Sequence, residues 1–233
     1  MATNLTAWAP DVFPSVPGLP VDGLKHAVRE AAIEFCKETL LWTLTLDRIS
    51  VVADTSGYTI TIPGAAAGET LGIDHVDFKQ NGLDDDQFKQ LFPISQDLMD
   101  RHYSVSGASW QFLTSTIPTN YWMEEKDLDT LYLWRVPEEA STLGLLVRVI
   151  LRPTKDCDTL DDFLYETFRK EIADGAMSHL FGMRARPWYD LRESEKLRAF
   201  FNSGIANAKI KKATGATKRP MRVQYRARGM IGI

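Results

Sequence analysis

The stretch VPGLPVDGLKHAVREAAIEFCKETLLW, Val16 to Trp42, passes from a proline-rich approach into a repeating apolar stripe. Leu24, Val28, Ala31, Phe35 and Leu40, with Ala27 and Ala32 beside them, recur at three-to-five-residue spacing and so share one face of a helix. Asp22 is placed to cap it. At ~1.5 Å per residue the segment from Asp22 to Trp42 spans about 30 Å, and its small alanines allow a second helix to approach closely. A stripe of this kind has to be covered, and the rest of the chain is read for what covers it.

Upstream, Pro10, Pro14, Pro17 and Pro20 disfavour helix and predict an extended course over residues 1–20. Trp8, Phe13, Val16 and Leu19, together with Val12, are the residues that can anchor that segment, on its own subunit or on a neighbour.

Downstream the period changes. TLTLDRISVV and YTITIP alternate apolar and polar residues around Asp54-Thr55-Ser56-Gly57, the signal of a β-hairpin. Further strands are predicted at Trp110–Thr114, Asn120–Met123, Leu131–Val136 and Leu143–Leu151, the last with Leu143, Leu145, Val147, Val149 and Leu151 on one face. Beyond Pro153 the helical period returns. Asp158 or Thr159 can cap a segment carrying Leu160, Phe163, Leu164, Phe168, Ile172, Ala176, Met177 and Leu180, which ends at Gly182. After a Pro187-Trp188-Tyr189-Asp190 turn, a last helix runs from Leu191 to about Ala213, with Leu197, Phe200, Phe201, Ile205 and Ala208 on its buried side.

The expected fold class is therefore α+β. Residues 21–42 and 153–213 form a helical bundle built from both ends of the chain, 43–152 form an inserted antiparallel β-rich region, and 214–233 form a flexible C-terminal arm.

Bulk properties agree with a globular chain: 233 residues, 44% hydrophobic and 25% charged. No apolar run is long enough for a membrane span, and the opening MATNLTAWAPDVF has no signal-peptide pattern. Cys36 and Cys157 are too few for a disulfide framework and are read as reduced packing residues. Charge is distributed unevenly. Lys209, Lys211, Lys212, Lys218, Arg219, Arg222, Arg226 and Arg228 meet no acidic residue, and removing those eight charges from the net of −4 leaves −12 on the rest. Such a basic end seeks an acidic partner.

The residues offer little chemistry. His26, His75, His102 and His179 are dispersed without metal-ligand spacing. Asp84-Asp85-Asp86 lacks the alternation of a calcium loop, and GATKRP (residues 215–220) lacks the second glycine and the following helix of a phosphate loop. Ser106-Gly107 and Ser203-Gly204 have no nucleophile elbow, while the pairs Glu124-Glu125 and Asp161-Asp162 define no pocket. Trp110, Phe112, Tyr121, Trp122, Tyr132 and Trp134 resemble a base-stacking set, but from Asp74 to Glu139 thirteen acidic residues face five basic ones and repel phosphate. No catalytic residue, cofactor or metal is expected. Besides a structural connector, a nucleic-acid module clamping DNA with the basic tail remains an alternative.

Trp8-x-Pro10, Val16-Pro17-Gly18-x-Pro20, Ala31-Ala32-x-x-Phe35-Cys36 and Trp42 precede the strands. They are followed by a late strand ending Leu151-Arg152-Pro153 and by the Pro187-Trp188-Tyr189-Asp190 turn. This order resembles the head-to-tail adaptors of tailed bacteriophages and looks most like the tail tubular protein A type. The resemblance implies a virion protein, made in the host cytoplasm, that forms a cyclic homo-oligomer of twelve copies. Such a ring sits between portal and downstream tail protein, passes dsDNA without reading its sequence, and inserts its C-terminal segment into the portal. A tail terminator or completion protein shares these traits and stays open as a rival. The arm residues proposed for the portal are Lys218, Arg219, Arg222, Val223, Tyr225, Arg226, Arg228, Met230 and Ile231. The basic ones supply charge pairs and the others anchors, enough to offset the ordering of an unfolded segment.

Overall fold

The computed structural model of the chain describes residues 2–63, 68–80, 87–103, 113–124 and 126–214. It opens with β1 (Ala2–Asn4), a 3₁₀ turn (Leu5–Trp8), α1 (Ala9–Val12) and α2 (Val21–Thr39). Then come β2 (Thr43–Thr45), β3 (Ile49–Val51), β4 (Gly57–Thr59), β5 (Gly68–Phe78), β6 (Lys89–Gln90), β7 (Phe92–Pro93) and α3 (Gln96–Tyr103). The rest is β8 (Thr114–Ser115), β9 (Asn120–Glu124), β10 (Asp127–Trp134), β11 (Val136–Pro137), β12 (Ser141–Pro153), β13 (Thr159–Asp161), α4 (Asp162–Phe181) and α5 (Leu191–Thr214). The class is α+β, with antiparallel pairing dominant; only β7 with β9 and β8 with β11 run parallel among the described strands.

The stripe read from Val16–Trp42 is buried from Leu24 to Cys36, but α2 ends at Thr39 and Leu40, its C-cap with φ +53°, is exposed. Leu24, Ala27, Val28, Ala31, Ala32, Phe35 and Cys36 all face inward. Their cover comes from α4 and α5, whose approach is set by Gly175 and Gly204. A Cβ on Gly175 would lie 2.8 Å from the Phe201 ring and 3.1 Å from the Ala31 Cβ, so the three helices meet at a point where no larger residue fits. Phe35 stacks obliquely on Phe168, ring centroids 4.9 Å apart, and lies 6.3 Å from Phe201.

Residues 1–20 depart from the extended course. Pro10 lies in the first turn of α1, where its missing N–H has no helical partner to lose, and Pro20 stands immediately before α2 as its N-cap. Prolines at these positions start helices instead of breaking them. The segment is fastened to the chain's own far end: β1 pairs with β13, and the Leu5 N–H donates to the Asp158 carbonyl at 3.0 Å. Asp22 does not cap α2; it lies in the first turn, and no side chain caps the N-terminus. The cap of α4 is Asp161, whose carboxylate accepts the Phe163 N–H at 3.0 Å, because Thr159 and Leu160 are taken up by β13.

The hairpin expected around Asp54–Gly57 does not form. β3 pairs with β12 and β4 pairs with β10, so this turn carries the chain from one sheet to another. Alternation specifies a strand with one buried face but not its neighbour. The crossing is held by the Asp54 N–H on the Pro137 carbonyl (2.8 Å) and by the Tyr58 hydroxyl, which donates to the carbonyls of Val52 (3.1 Å) and Thr55 (2.8 Å).

The larger sheet is centred on β12, flanked by β5 on one side and by β2 and β3 on the other. Leu145, Val147, Val149 and Leu151 are fully buried, with Ile150 buried between the last two, but Leu143 is not: it is 47% exposed with φ +51°. The ladder is irregular between Ser141 and Leu145, where the Ser141 hydroxyl and the Gly144 carbonyl bond to the backbone of Lys79. That bulge turns Leu143 outward. β5 has no clean sequence signal, since GETLGIDHVDF mixes glycines and charges with its apolar positions, yet it supplies the longest ladder to β12.

Candidate interaction surfaces

The helices carry the polar features that bear on function. On the α2 side of α5, the Arg198 guanidinium forms a two-pronged ion pair with Glu34, Nη1 at 2.8 Å from Oε2, and His179 Nε2 lies 3.5 Å from the same carboxylate. The Arg198 hydrogen bond holds the Glu34 carboxyl below its ordinary range, against the opposing pull of burial. Further along, Lys209 pairs with Glu38 at 2.9 Å. Lys212 donates to the Leu40 carbonyl at 2.6 Å, beyond the last turn of α2, and lies 3.4 Å from Asp74 on β5. Lys211 lies over the Phe168 ring at 5.4 Å. Three of the eight basic residues counted toward the arm are thus engaged by the body, which leaves five from Lys218 onward. Those five, and Val223, Tyr225, Met230 and Ile231 with them, lie outside the described residues.

Trp8 and Val16 are fully buried against the chain's own helices, and Phe13 and Leu19 pack partly buried on the same core. The Trp8 indole N–H donates to the Arg169 carbonyl at 3.1 Å, its ring meets Tyr165 edge-on at 4.8 Å, and Arg169 binds Asp11 through two hydrogen bonds of 2.6 and 3.1 Å.

The groups that might do chemistry are occupied in structure. His75 is bound to Asp77 (2.8 Å) and Gln90 (3.3 Å). Cys36 and Cys157 are buried free thiols; burial, reinforced by the nearby Cys157, pushes Cys36 up to about 12, and burial raises Cys157 as well. Neither is a thiolate at neutral pH. Asp161 caps α4, and Asp162 accepts the Thr3 hydroxyl. Tyr121 and Trp134 are buried, while Trp122 stacks on Tyr132 with centroids 5.0 Å apart. Tyr121 and Trp134 face protein, and Trp122 and Tyr132 are half-buried on each other; Trp110 and Phe112, like Ser106-Gly107 and Asp84-Asp85-Asp86, lie outside the described residues. Among the described residues no three His, Cys, Asp or Glu side chains gather as a metal set, and no helix is long and apolar enough to cross a membrane.

Two surface features were not legible in the sequence. One is a groove of about 230 Å³ between α4 and α5, with the buried carboxyl of Asp174 in its lining. The other is the exposure of Arg184, Arg186 and Arg192 around the turn between those helices, a turn whose position the sequence did place. Asp174 falls on the apolar side of an amphipathic pattern, and only the helix crossing shows that it lines this groove.

No curated protein matches the chain. The family model described as SU10 adaptor protein matches residues 1–224, which takes in every element from β1 to α5. A match of that extent decides the matter: the chain belongs to the SU10 adaptor protein family.

Proposed function

We propose that this protein is a non-enzymatic structural component of a tailed-phage virion, a head-to-tail adaptor that joins portal to tail. The match across residues 1–224 carries the reading, since it spans the helices and the β-rich region alike. In this reading twelve copies close into a ring. Residues 21–42 and 153–213 act as its helical bundle, residues 43–152 as an inserted unit facing tail partners, and residues 214–233 as the arm that docks on the portal. The acidic body keeps passing DNA from adhering to the channel wall, because like charge repels the phosphates.

The arm meets the portal through Lys218, Arg219, Arg222, Arg226 and Arg228, with Val223, Tyr225, Met230 and Ile231 as anchors. α5 supports this by ending firmly: Lys209 and Lys212 bind it to α2 and β5, so residues beyond Thr214 start from a fixed point. A chain truncated after Thr214 is expected to keep its circular dichroism spectrum and lose portal binding by pull-down and mass measurement. Unchanged binding would remove the arm from the mechanism.

A further inference from the structure

The close crossing of α4 and α5 leaves a groove beside it, lined by Lys170, Glu171, Asp174, Phe200, Ser203 and Asn207. Asp174 is 8% exposed, and among the described residues its carboxyl has no hydrogen-bond partner. Burial pushes its pKa up, and Lys170 offsets this only in part. The carboxyl opens onto the groove without a protein donor among the described residues, so a donor arriving from outside can reach it. At the lip of the groove Phe200 is 52% exposed, on a helix face otherwise turned inward at Leu197, Phe201 and Ile205.

The other end of the same helix pair has the opposite character. In the turn from α4 to α5, Arg184, Arg186 and Arg192 are exposed and form no ion pair among the described residues. Asp190 is the acid of that turn, and its carboxylate is used to accept the Glu193 N–H at 3.1 Å at the start of α5. Met183, Tyr189 and Leu191 are large apolar residues exposed beside the arginines.

A closed ring of more than two identical subunits is built from a heterologous contact, in which two different surfaces of one chain fit each other. Groove against groove would set carboxylates against carboxylates, and turn against turn would set arginines against arginines. Groove against turn joins opposite charges and covers exposed apolar side chains on both partners. We propose that the α4–α5 groove of one subunit receives the α4–α5 turn of the next copy, with an arginine guanidinium donating to Asp174 and Glu171. The planar fork of arginine suits a carboxylate better than a lysine does. This interface rests on the ring reading given above.

The test uses two full-length variants altered only at exposed positions. Phe200→Arg with Asn207→Arg places positive charge at the groove and leaves the turn intact; Arg184→Glu with Arg186→Glu does the reverse. Wild-type subunits, alone or seeded with portal protein, are expected to form rings by native mass spectrometry. Each variant alone is expected to lose at least tenfold in association, while an equimolar mixture forms a 1:1 complex through its one intact contact and goes no further. Circular dichroism checks that both variants fold. Variants that assemble like wild type, or a mixture that stays monomeric while wild type assembles, would overturn this interface and leave the ring standing. Wild-type chains that fail to assemble even on portal would overturn the ring reading and the interface with it.

Discussion

Replacing Trp8 by alanine separates a segment docked on its own chain from one held by a neighbour. The side chain is fully buried, its ring packs edge-on against Tyr165 at 4.8 Å, and its N–H is bound to the Arg169 carbonyl at 3.1 Å. Truncating a buried tryptophan typically costs about 3–5 kcal/mol through lost transfer energy and the cavity left behind. For a chain of this size each kcal/mol moves the melting temperature by roughly 2–4 °C, so Trp8→Ala should lower it by roughly 6–20 °C. Trp8→Phe keeps most of the packing and loses the hydrogen bond, for a cost of about 1–2 kcal/mol. Urea unfolding of dilute monomer, repeated over a hundredfold range of protein concentration, measures both. The loss should be the same at every concentration, because the contacts are within one chain. A Trp8→Ala variant less than 1 kcal/mol weaker than wild type when dilute, and weaker still only when concentrated, would refute the docking of residues 2–20 described here.

Gly175→Val should destabilise by about 1–3 kcal/mol by scanning calorimetry, since even its Cβ would lie 2.8 Å from the Phe201 ring and α4 and α5 would have to part. The two buried-edge carboxyls should give opposite pH signatures in urea titrations. Glu34 is depressed by Arg198, so its contribution is present above the unfolded value near 4.5 and fades as pH falls through the lower folded one; Glu34→Gln should flatten that acid limb. Asp174 is raised by burial, so its cost sets in as pH rises from the ordinary aspartate range to the folded value. Asp174→Asn should therefore stabilise the isolated chain at neutral pH and change little in acid. Cys36, pushed up to about 12 and buried, should resist iodoacetamide in the native chain at pH 8 and react promptly in denaturant, as followed by mass spectrometry.

The stripe from Leu24 to Cys36 and the alternation from Leu145 to Leu151 were legible because each element buries one face, and that demand prints its own period on the residues. Phe200 shows where this stops. It shares the predicted buried side of α5 but ends 52% exposed, because Gly204 lets α4 press against the next turn and leaves Phe200 at the rim.

By itself, then, the amino-acid order determined the α+β class, the three long helices and the central strand, along with the charge contrast between body and tail. Only the tertiary structure decided which strands pair across the Asp54–Gly57 turn, that Pro10 and Pro20 begin helices packed on α4, and that Asp174 lines a groove between α4 and α5. The reason is range. Periodicity reports how one segment meets an average interior, whereas pairing, packing and groove formation depend on which distant segment arrives there, as when Arg169 meets Asp11 across 158 positions of chain.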